Sequence, residues 1–245
     1  DLAALHHSFG VNPDYHSGND TYGFKEFNKD AVGNDIYIHD GGGLDTFDAS
    51  EQTLDLNIDL TPGSWIYAGE KTAHLALNDD LTPTHGQMFI GYGTQIENAK
   101  GGSGNDTIKG NSAANYLFGF DGDDHLDGGA GNDQLEGGRG ADTLTGGKGA
   151  DTFVYAMDGE NSFPYHDNDQ ILDFNPAEGD RIVLTRGEGW TLQFGKVDFE
   201  AAEHVQRLQF KVYKGDVGYI NAIQIHSHDG HAFSVDEIMN AVTIL

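Results

Sequence analysis

Cysteine is absent from the 245 residues. That excludes thiol chemistry, a disulfide framework and zinc held by cysteine. Proline is scarce, with 5 residues against 35 glycines, and glycine does not recur at every third place, so a collagen-like helix is excluded. Basic charge is scarce as well. The 13 Lys and Arg stand against 40 Asp and Glu, a formal net charge of −27. Phosphate backbones and anionic membranes are held by clustered Lys and Arg, so no nucleic-acid partner is expected. No apolar run nears the roughly 18 residues of a membrane span, and none is expected. Core-forming material is present: 37% hydrophobic and 11% aromatic content argues against a disordered acidic chain. The length suits one elongated domain or two small ones, and a monomer is expected. The chain opens at Asp1 with neither Met nor a signal peptide, which reads as a fragment or a processed product. Zero cysteine fits an extracellular protein stabilised by something other than disulfides.

What is there is a repeat of nine. Residues 101–154 divide into GGSGNDTIK, GNSAANYLF, GFDGDDHLD, GGAGNDQLE, GGRGADTLT and GGKGADTFV, and they hold 15 of the 35 glycines. Positions one, two and four favour Gly, position six is Asp or Asn, and position eight is large and apolar (Ile108, Leu117, Leu126, Leu135, Leu144, Phe153). The second and third units are degenerate. The first six residues of a unit predict a turn that glycine tolerates. The last three predict a short strand whose middle residue points inward. Two units make one coil of a flattened parallel helix, and stacked coils share a narrow core that one coil cannot bury alone.

The same spacing brings acids together. Carboxylates one coil apart, about 4.8 Å, repel. Ca²⁺ takes about six to eight oxygen ligands at about 2.3–2.6 Å and would resolve the conflict. Each turn offers carbonyls at positions two and four and a side chain at position six. The sets are Gly102, Gly104 and Asp106; Asn111, Ala113 and Asn115; Phe120, Gly122 and Asp124; Gly129, Gly131 and Asp133; Gly138, Gly140 and Asp142; and Gly147, Gly149 and Asp151. Folding should then be linked to metal binding. The plainer alternative is a glycine-turn solenoid without metal.

These repeats resemble the calcium-binding nonapeptides of RTX proteins, which bacteria export through type I secretion systems. Many unrelated activities carry them, so the repeat implies a calcium module and an export route, not an activity. Three further stretches resemble one family more specifically. The opening DLAALHHSFG has Leu2, Leu5 and Phe9 at helical spacing and a Gly10 stop, and is followed by Tyr22-Gly23-Phe24. HDGGGLDTFDAS and the junction QIENAKGGSGND follow later. Together they look like serralysins, the secreted zinc endopeptidases of the metzincin class. In that family such a helix links the catalytic domain to a C-terminal calcium domain. The resemblance implies further calcium ligands at His16, Gly18 and Asp20, at Asp40, Gly42, Gly43 and Asp45, and at Gln95 and Glu97, the last two capping the first repeat's ion. DGGGLD read alone is also a solvated turn with two acids.

The family's zinc motif, H-E-x-x-H-x-x-G-x-x-H, is missing. None of the 12 histidines precedes a Glu, and no two lie four apart. A G-x-S-x-G lipase elbow is missing too. No catalytic residue is expected in this chain, and Zn²⁺ belongs only to an upstream domain. His226, His228 and His231 read as an exposed hairpin around Asp229-Gly230, with a transition-metal site as the sharper alternative. His6 and His7 are adjacent and read as surface.

After the repeats, Ile171 with Phe174 and Ile182 with Leu184 alternate as two strands around a turn. The family's acidic segment at this place implies calcium ligands at Asp173 and Asp180, although the turn carries one more residue near Pro176. Earlier strand-like runs are Asp35–His39, Thr53–Leu60 and Gln87–Tyr92. Later ones are Thr191–Phe194, Leu208–Tyr213 and Tyr219–Ile225. Ser234 and Glu237 form a capping box for a helix to Ala241. The terminal Val242-Thr243-Ile244-Leu245 resembles an uncleaved export signal, with Ala241 where the family has Asp; it also reads as a final core strand.

The expected fold is all-β: a right-handed parallel β-roll flanked by short antiparallel strands, with a short N-terminal helix. Residues 1–24 would be the helix and linker, 25–100 an irregular β-roll part, 101–154 the six calcium repeats, and 155–245 a C-terminal β region with the secretion signal. The expected function is a calcium-binding module of a type I-secreted serralysin-like zinc metalloendopeptidase. It would fold on Ca²⁺ outside the cell and stabilise the upstream catalytic domain. Its partners would be that domain and the exporter. The alternative is a calcium-binding module of a secreted RTX adhesin or carbohydrate-active enzyme.

Overall fold

Strand pairing at an offset of 18 residues, two repeats, builds the central part of the molecule. The computed structural model describes residues 16–24, 37–69, 87–157, 167–186, 190–200, 205–214, 217–227 and 232–245. The helix expected over the first ten residues lies outside them. In chain order the strands are β1 (Thr21–Tyr22), β2 (Tyr37–Ile38), β3 (Thr46–Asp48), β4 (Leu56–Asp59), β5 (Trp65–Ala68), β6 (Gln87–Ile90), β7 (Asn98–Lys100), β8 (Thr107–Lys109), β9 (Tyr116–Asp121) and β10 (His125–Ala130). There follow β11 (Gln134–Arg139), β12 (Thr143–Lys148), β13 (Thr152–Met157), β14 (Asp167–Phe174), β15 (Arg181–Arg186), β16 (Trp190–Glu200), β17 (Val205–Lys214), β18 (Val217–Ser227) and β19 (Val242–Ile244). Helix α1 (Val235–Ala241) precedes the last strand.

Successive repeats alternate between two sheets. One sheet runs β1-β3-β7-β9-β11-β13-β15-β19, and its pairs are all parallel. The other runs β16-β17-β18-β14-β12-β10-β8-β4-β5-β6-β2. Leu126 pairs with Ile108 on one side and Leu144 on the other. Leu135 lies likewise between Leu117 and Phe153. All six of these eighth-position side chains are fully buried, as the period predicts. They belong to a single apolar core that runs from Ile38 to Ala241.

The strand of the first repeat, β8, has three residues, but the later repeat strands are longer. Strands β9 to β12 each span six, from the seventh position of one unit to the third of the next. The first-position glycine allows this. A Cβ at Gly119 would stand 2.5 Å from the Gly137 carbonyl oxygen, so a bare Cα lets the next coil close down and the ladder continue.

Both sheets run past residue 154. Strands β14 and β15 are not a hairpin: β14 joins β12 in one sheet and β15 joins β13 in the other, so residues 175–180 form one more coil turn. The flanking antiparallel strands are not short. β16, β17 and β18 have 11, 10 and 11 residues and form a meander that docks on the roll through a parallel pairing of β18 with β14. A second antiparallel set, β4-β5-β6, sits at the other end. The capping box is present: Ser234 Oγ accepts the Glu237 N–H and Glu237 Oε2 accepts the Ser234 N–H. β19 pairs in parallel with β15, a final strand on the sheet edge.

Candidate metal centre

The sixth position of each unit is the last residue before its strand, and its side chain turns in between coils. This makes two rows of acids, all buried but the half-buried Asp20 and with Asn115 the one amide. In one row Asp106, Asp124, Asp142 and Asp169 follow one another. Asp106 Oδ1 accepts the Leu56 N–H at 2.8 Å, Asp124 Oδ1 the Asp106 N–H at 2.7 Å, Asp142 Oδ1 the Asp124 N–H at 2.9 Å, and Asp169 Oδ1 the Asp142 N–H at 2.9 Å. The other row is Asp20, Asp45, Glu97, Asn115, Asp133, Asp151 and Asp180. Asp45 Oδ1 accepts the Asp20 N–H at 2.8 Å and Glu97 Oε2 the Asp45 N–H at 2.7 Å. Asp133 Oδ1 accepts the Asn115 N–H at 2.7 Å, Asp151 Oδ1 the Asp133 N–H at 2.9 Å, and Asp180 Oδ1 the Asp151 N–H at 2.9 Å. Stacked acids were expected only to repel. From Asp45 onward in one row and Asp106 onward in the other, each acid also hydrogen-bonds the backbone of the coil before it.

The second oxygen tells a different story. Oδ2 of Asp45, Asp124, Asp133 and Asp151 is buried and accepts no hydrogen bond from any described residue. A carboxylate in that position is expensive unless it is protonated or meets a cation. Burial pushes Asp124 up to about 8, with help from Asp142 and Asp106 and against the Asp106 N–H. Burial likewise raises Asp45, Asp133 and Asp180 to about 6, with neighbouring carboxylates adding to each. Asp106 and Asp151 are also raised, chiefly by burial. The donor set is all oxygen. Carbonyls at the second and fourth positions face the turn one coil on: a Cβ at Gly140 would overlap the Gly122 oxygen, and one at Gly149 the Gly131 oxygen. Buried carboxylate oxygens left without a donor, beside turn carbonyl oxygens, suit a hard cation such as Ca²⁺.

The turns before the repeats continue the pattern. Asp20, Asp40 and Asp45 bring carboxylate oxygens within 4.8 Å of one another. Asp40 and Asp45 are buried. Tyr22 donates its hydroxyl to Asp40 Oδ2 at 2.5 Å, and the Gly42 N–H meets Asp40 Oδ1 at 2.7 Å. His16 lies at the opening of this turn, with its carbonyl accepting the Gly41 N–H at 3.4 Å and Nδ1 3.3 Å from Asp20. Gly18 stacks under Gly43, where a Cβ would overlap the Gly18 oxygen. His16 and Phe120 are the two non-glycine residues with left-handed φ, 48° and 81°, among the described residues. Both stand at the place a second-position glycine takes in the regular turns.

Other implied ligands fall differently. Glu97 and Gln95 are not beside Asp106, because Asn98 pairs with Tyr116 and puts Glu97 in the row of Asn115, across the roll. Gln95 Nε2 donates to Glu97 Oε1 at 3.0 Å. Asp180 caps one row despite the extra residue near Pro176, while Asp173 accepts the Gly146 and Gly147 N–H groups at 2.9 and 2.8 Å. Asp169 was not foreseen. Its signal was the triad Asp169-Gln170-Ile171, the same acid-x-apolar order as Asp142-Thr143-Leu144. Also unforeseen is an outer ladder at position five. Asn105 Oδ1 accepts the Asp123 N–H at 3.0 Å, Asp123 Oδ1 the Ala141 N–H at 2.8 Å, and Asn132 Oδ1 the Ala150 N–H at 3.0 Å. Of the three C-terminal histidines, His226 is half-buried on β18; His228 and His231 lie outside the described residues.

Parallel coils joined by acid-lined glycine turns define a β-roll. The chain belongs to the peptidase M10 serralysin C-terminal family, whose pattern it matches over residues 12–242. Among its relatives, Serralysin C of Dickeya chrysanthemi is 38% identical over 120 residues, 44% of this chain and 22% of that protein. Metalloprotease AprA of Pseudomonas entomophila (strain L48) is 38% identical over 120 residues, 44% of this chain and 21% of that protein. Serralysin of Proteus mirabilis is 36% identical over 116 residues, again 44% and 21%. The match thus spans about a fifth of each of these proteins. A solved structure with a similar chain is the AlgE6R3 subunit of the Azotobacter vinelandii mannuronan C5-epimerase, at 29% identity, 58% of this chain, 78% of that one and a TM-score of 0.42.

Proposed function

We propose that this chain is the calcium-binding β-roll module of a secreted serralysin-like zinc metalloendopeptidase. The observation that carries the reading is the set of buried carboxylate oxygens at Asp45, Asp124, Asp133 and Asp151 that accept no hydrogen bond from any described residue, set beside carbonyl-lined glycine turns. Ca²⁺ would draw on Asp106, Asp124 and Asp142 with turn carbonyls such as Gly104, Gly122 and Gly140. In the other row it would draw on Asp133 and Asp151 with Gly131 and Gly149. The Asp20, Asp40 and Asp45 cluster would hold a further ion. When bound, the ion supplies the positive charge that lets these acids ionise in a buried place.

The biological reading follows from linkage. A chain whose turns close only on calcium stays open where calcium is scarce, passes a type I exporter, and folds outside the cell. The module would then stabilise an upstream catalytic domain. That domain would carry the zinc, since no zinc-protease motif occurs in this chain. Among the described residues no helix is long and apolar enough to cross a membrane.

Titrating chelator-stripped protein with Ca²⁺ at pH 7.5 tests this. Far-ultraviolet circular dichroism is expected to show a cooperative gain of β-structure by millimolar Ca²⁺, reversed by chelator and not reproduced by Mg²⁺ at the same level. A spectrum indifferent to calcium would end the proposal.

A further inference from the structure

The second repeat, GNSAANYLF, has Asn115 where the other five have Asp. Asn115 is 3% exposed, and both ends of its amide are engaged locally. Its Oδ1 accepts the Asn111 N–H at 2.8 Å, and its Nδ2 donates to the Glu97 carbonyl at 2.8 Å and, more weakly, to Asn111 Oδ1 at 3.4 Å. The Asn111 side chain is engaged in the same way. Its Oδ1 accepts the Ala113 N–H at 2.8 Å, and its Nδ2 donates to the Ile96 carbonyl at 2.7 Å and the Leu60 carbonyl at 3.3 Å. Glu97, one coil earlier, has both oxygens occupied, by the Asp45 N–H and the Gln95 amide.

The next turn of the row behaves otherwise. At Asp133, one oxygen accepts the Asn115 N–H and the other accepts nothing from the described residues. The chemical difference is simple. A carboxylate has acceptors only, so it needs a cation or a proton to face carbonyls. A primary amide carries N–H donors and bonds those carbonyls directly with no charge to bury.

We infer that the Asn111 and Asn115 amides take the place of the metal at the step from Glu97 to Asn115. This step of the roll is a calcium-independent clamp, and Asn115 contributes no ligand to an ion. The inference rests on the calcium reading of the acidic turns. It makes the second repeat a built-in starting coil, registered before any metal arrives, on which the acidic coils to either side close when calcium comes.

The test counts ions. Chelator-stripped full chain is equilibrated with Ca²⁺, and bound ions per chain are measured by equilibrium dialysis for the wild type, Asn115→Asp and Asp133→Asn. Asn115→Asp is expected to bind one more ion than the wild type and Asp133→Asn fewer. An unchanged or lower count for Asn115→Asp, with the wild type still binding calcium, overturns the clamp alone. A wild type that binds none overturns the calcium reading, and the clamp with it. Hydrogen exchange on the wild type covers the case in which the variant does not fold. At sub-saturating calcium the Asn111, Ala113 and Tyr116 amides should be protected while Asp106 and Asp124 exchange. Equal exchange at both sets would overturn the clamp.

Discussion

Stripped of calcium, the protein should hold more β-structure at pH 4.5 than at pH 8. Asp124 stands at about 8 and Asp45, Asp133 and Asp180 at about 6 in the fold, against 3.8 for an exposed Asp. A folded pKa above the unfolded one means that the fold holds the proton more tightly. The stability from that proton is fully present below about 3.8 and is lost as pH rises, first through about 6 and then, for Asp124, through about 8. One pKa unit is worth about 1.4 kcal/mol, so the rows together carry an effect on the order of several kcal/mol. Asp48 opposes the trend. Although burial raises it, the Ser50 and Lys100 partners win and lower it, so its contribution is present above its unfolded pKa and fades only in stronger acid. Calcium reverses the sign, because the ion competes with protons for the same oxygens. Far-ultraviolet circular dichroism across pH with chelator and with excess Ca²⁺ should therefore give β-structure curves of opposite slope. A chelated curve that is flat or rises from pH 4.5 to 8 contradicts the account. Asp124→Asn should remove the part of the chelated loss that lies between pH 6 and 8.

Replacing Gly140 by Val should destabilise the loaded roll by about 3 kcal/mol, as left-handed strain and steric overlap act together. Gly140 has φ of +130°, and a Cβ there overlaps the Gly122 carbonyl oxygen and stands 3.0 Å from Asp123 Oδ1. The side chain would hold two coils apart at the place where their carbonyls turn toward a shared ion. At about 1.4 kcal/mol per decade shared among the several ions taken up on folding, the calcium concentration for half-folding should rise severalfold. Gly18→Ala is the matched control. Its Cβ meets nothing within 4 Å and its φ is not left-handed, so a change within about 0.5 kcal/mol is expected. Equal midpoints for the two variants would show that coil spacing does not govern calcium folding.

The sequence made the roll legible because one period served two purposes. Spacing by nine fixed both the buried row from Ile108 to Phe153 and the acids before it. Where the period breaks, counting fails but the local triad survives. Asp142 meets Asp169 after 27 residues and Asp151 meets Asp180 after 29. Asp169-Gln170-Ile171 still announces an acid, an outward residue and an inward one. The amide clamp was not legible, since Asn reads as a weaker calcium ligand and its value here lies in donors placed by folding, Asn115 on the Glu97 carbonyl and Asn111 on the Ile96 and Leu60 carbonyls. The strand lengths were hidden too, because glycine carries no strand preference of its own, and the pairing of Gly129 with Gly147 is set by the coil above. The resemblance located the Asp20, Asp40 and Asp45 cluster, which spacing alone would leave as two separate turns.

The ladder of acids gives the roll a polarity. In each link the carboxylate comes from the later coil and the N–H from the earlier one, so every coil is finished by its successor. Removing everything after Met157 would take away the acceptors of the Asp142 and Asp151 N–H groups, whereas trimming before Gly101 would cost the acids of the repeats only the Leu56 donor on Asp106, and would take the Glu97, Ile96 and Leu60 carbonyls from the Asn115 and Asn111 amides. The two ends are therefore not equivalent. The C-terminal strands act as a keystone: growth from the amino end leaves each new coil provisional until the next is laid, and the last two acids, Asp169 and Asp180, close the series.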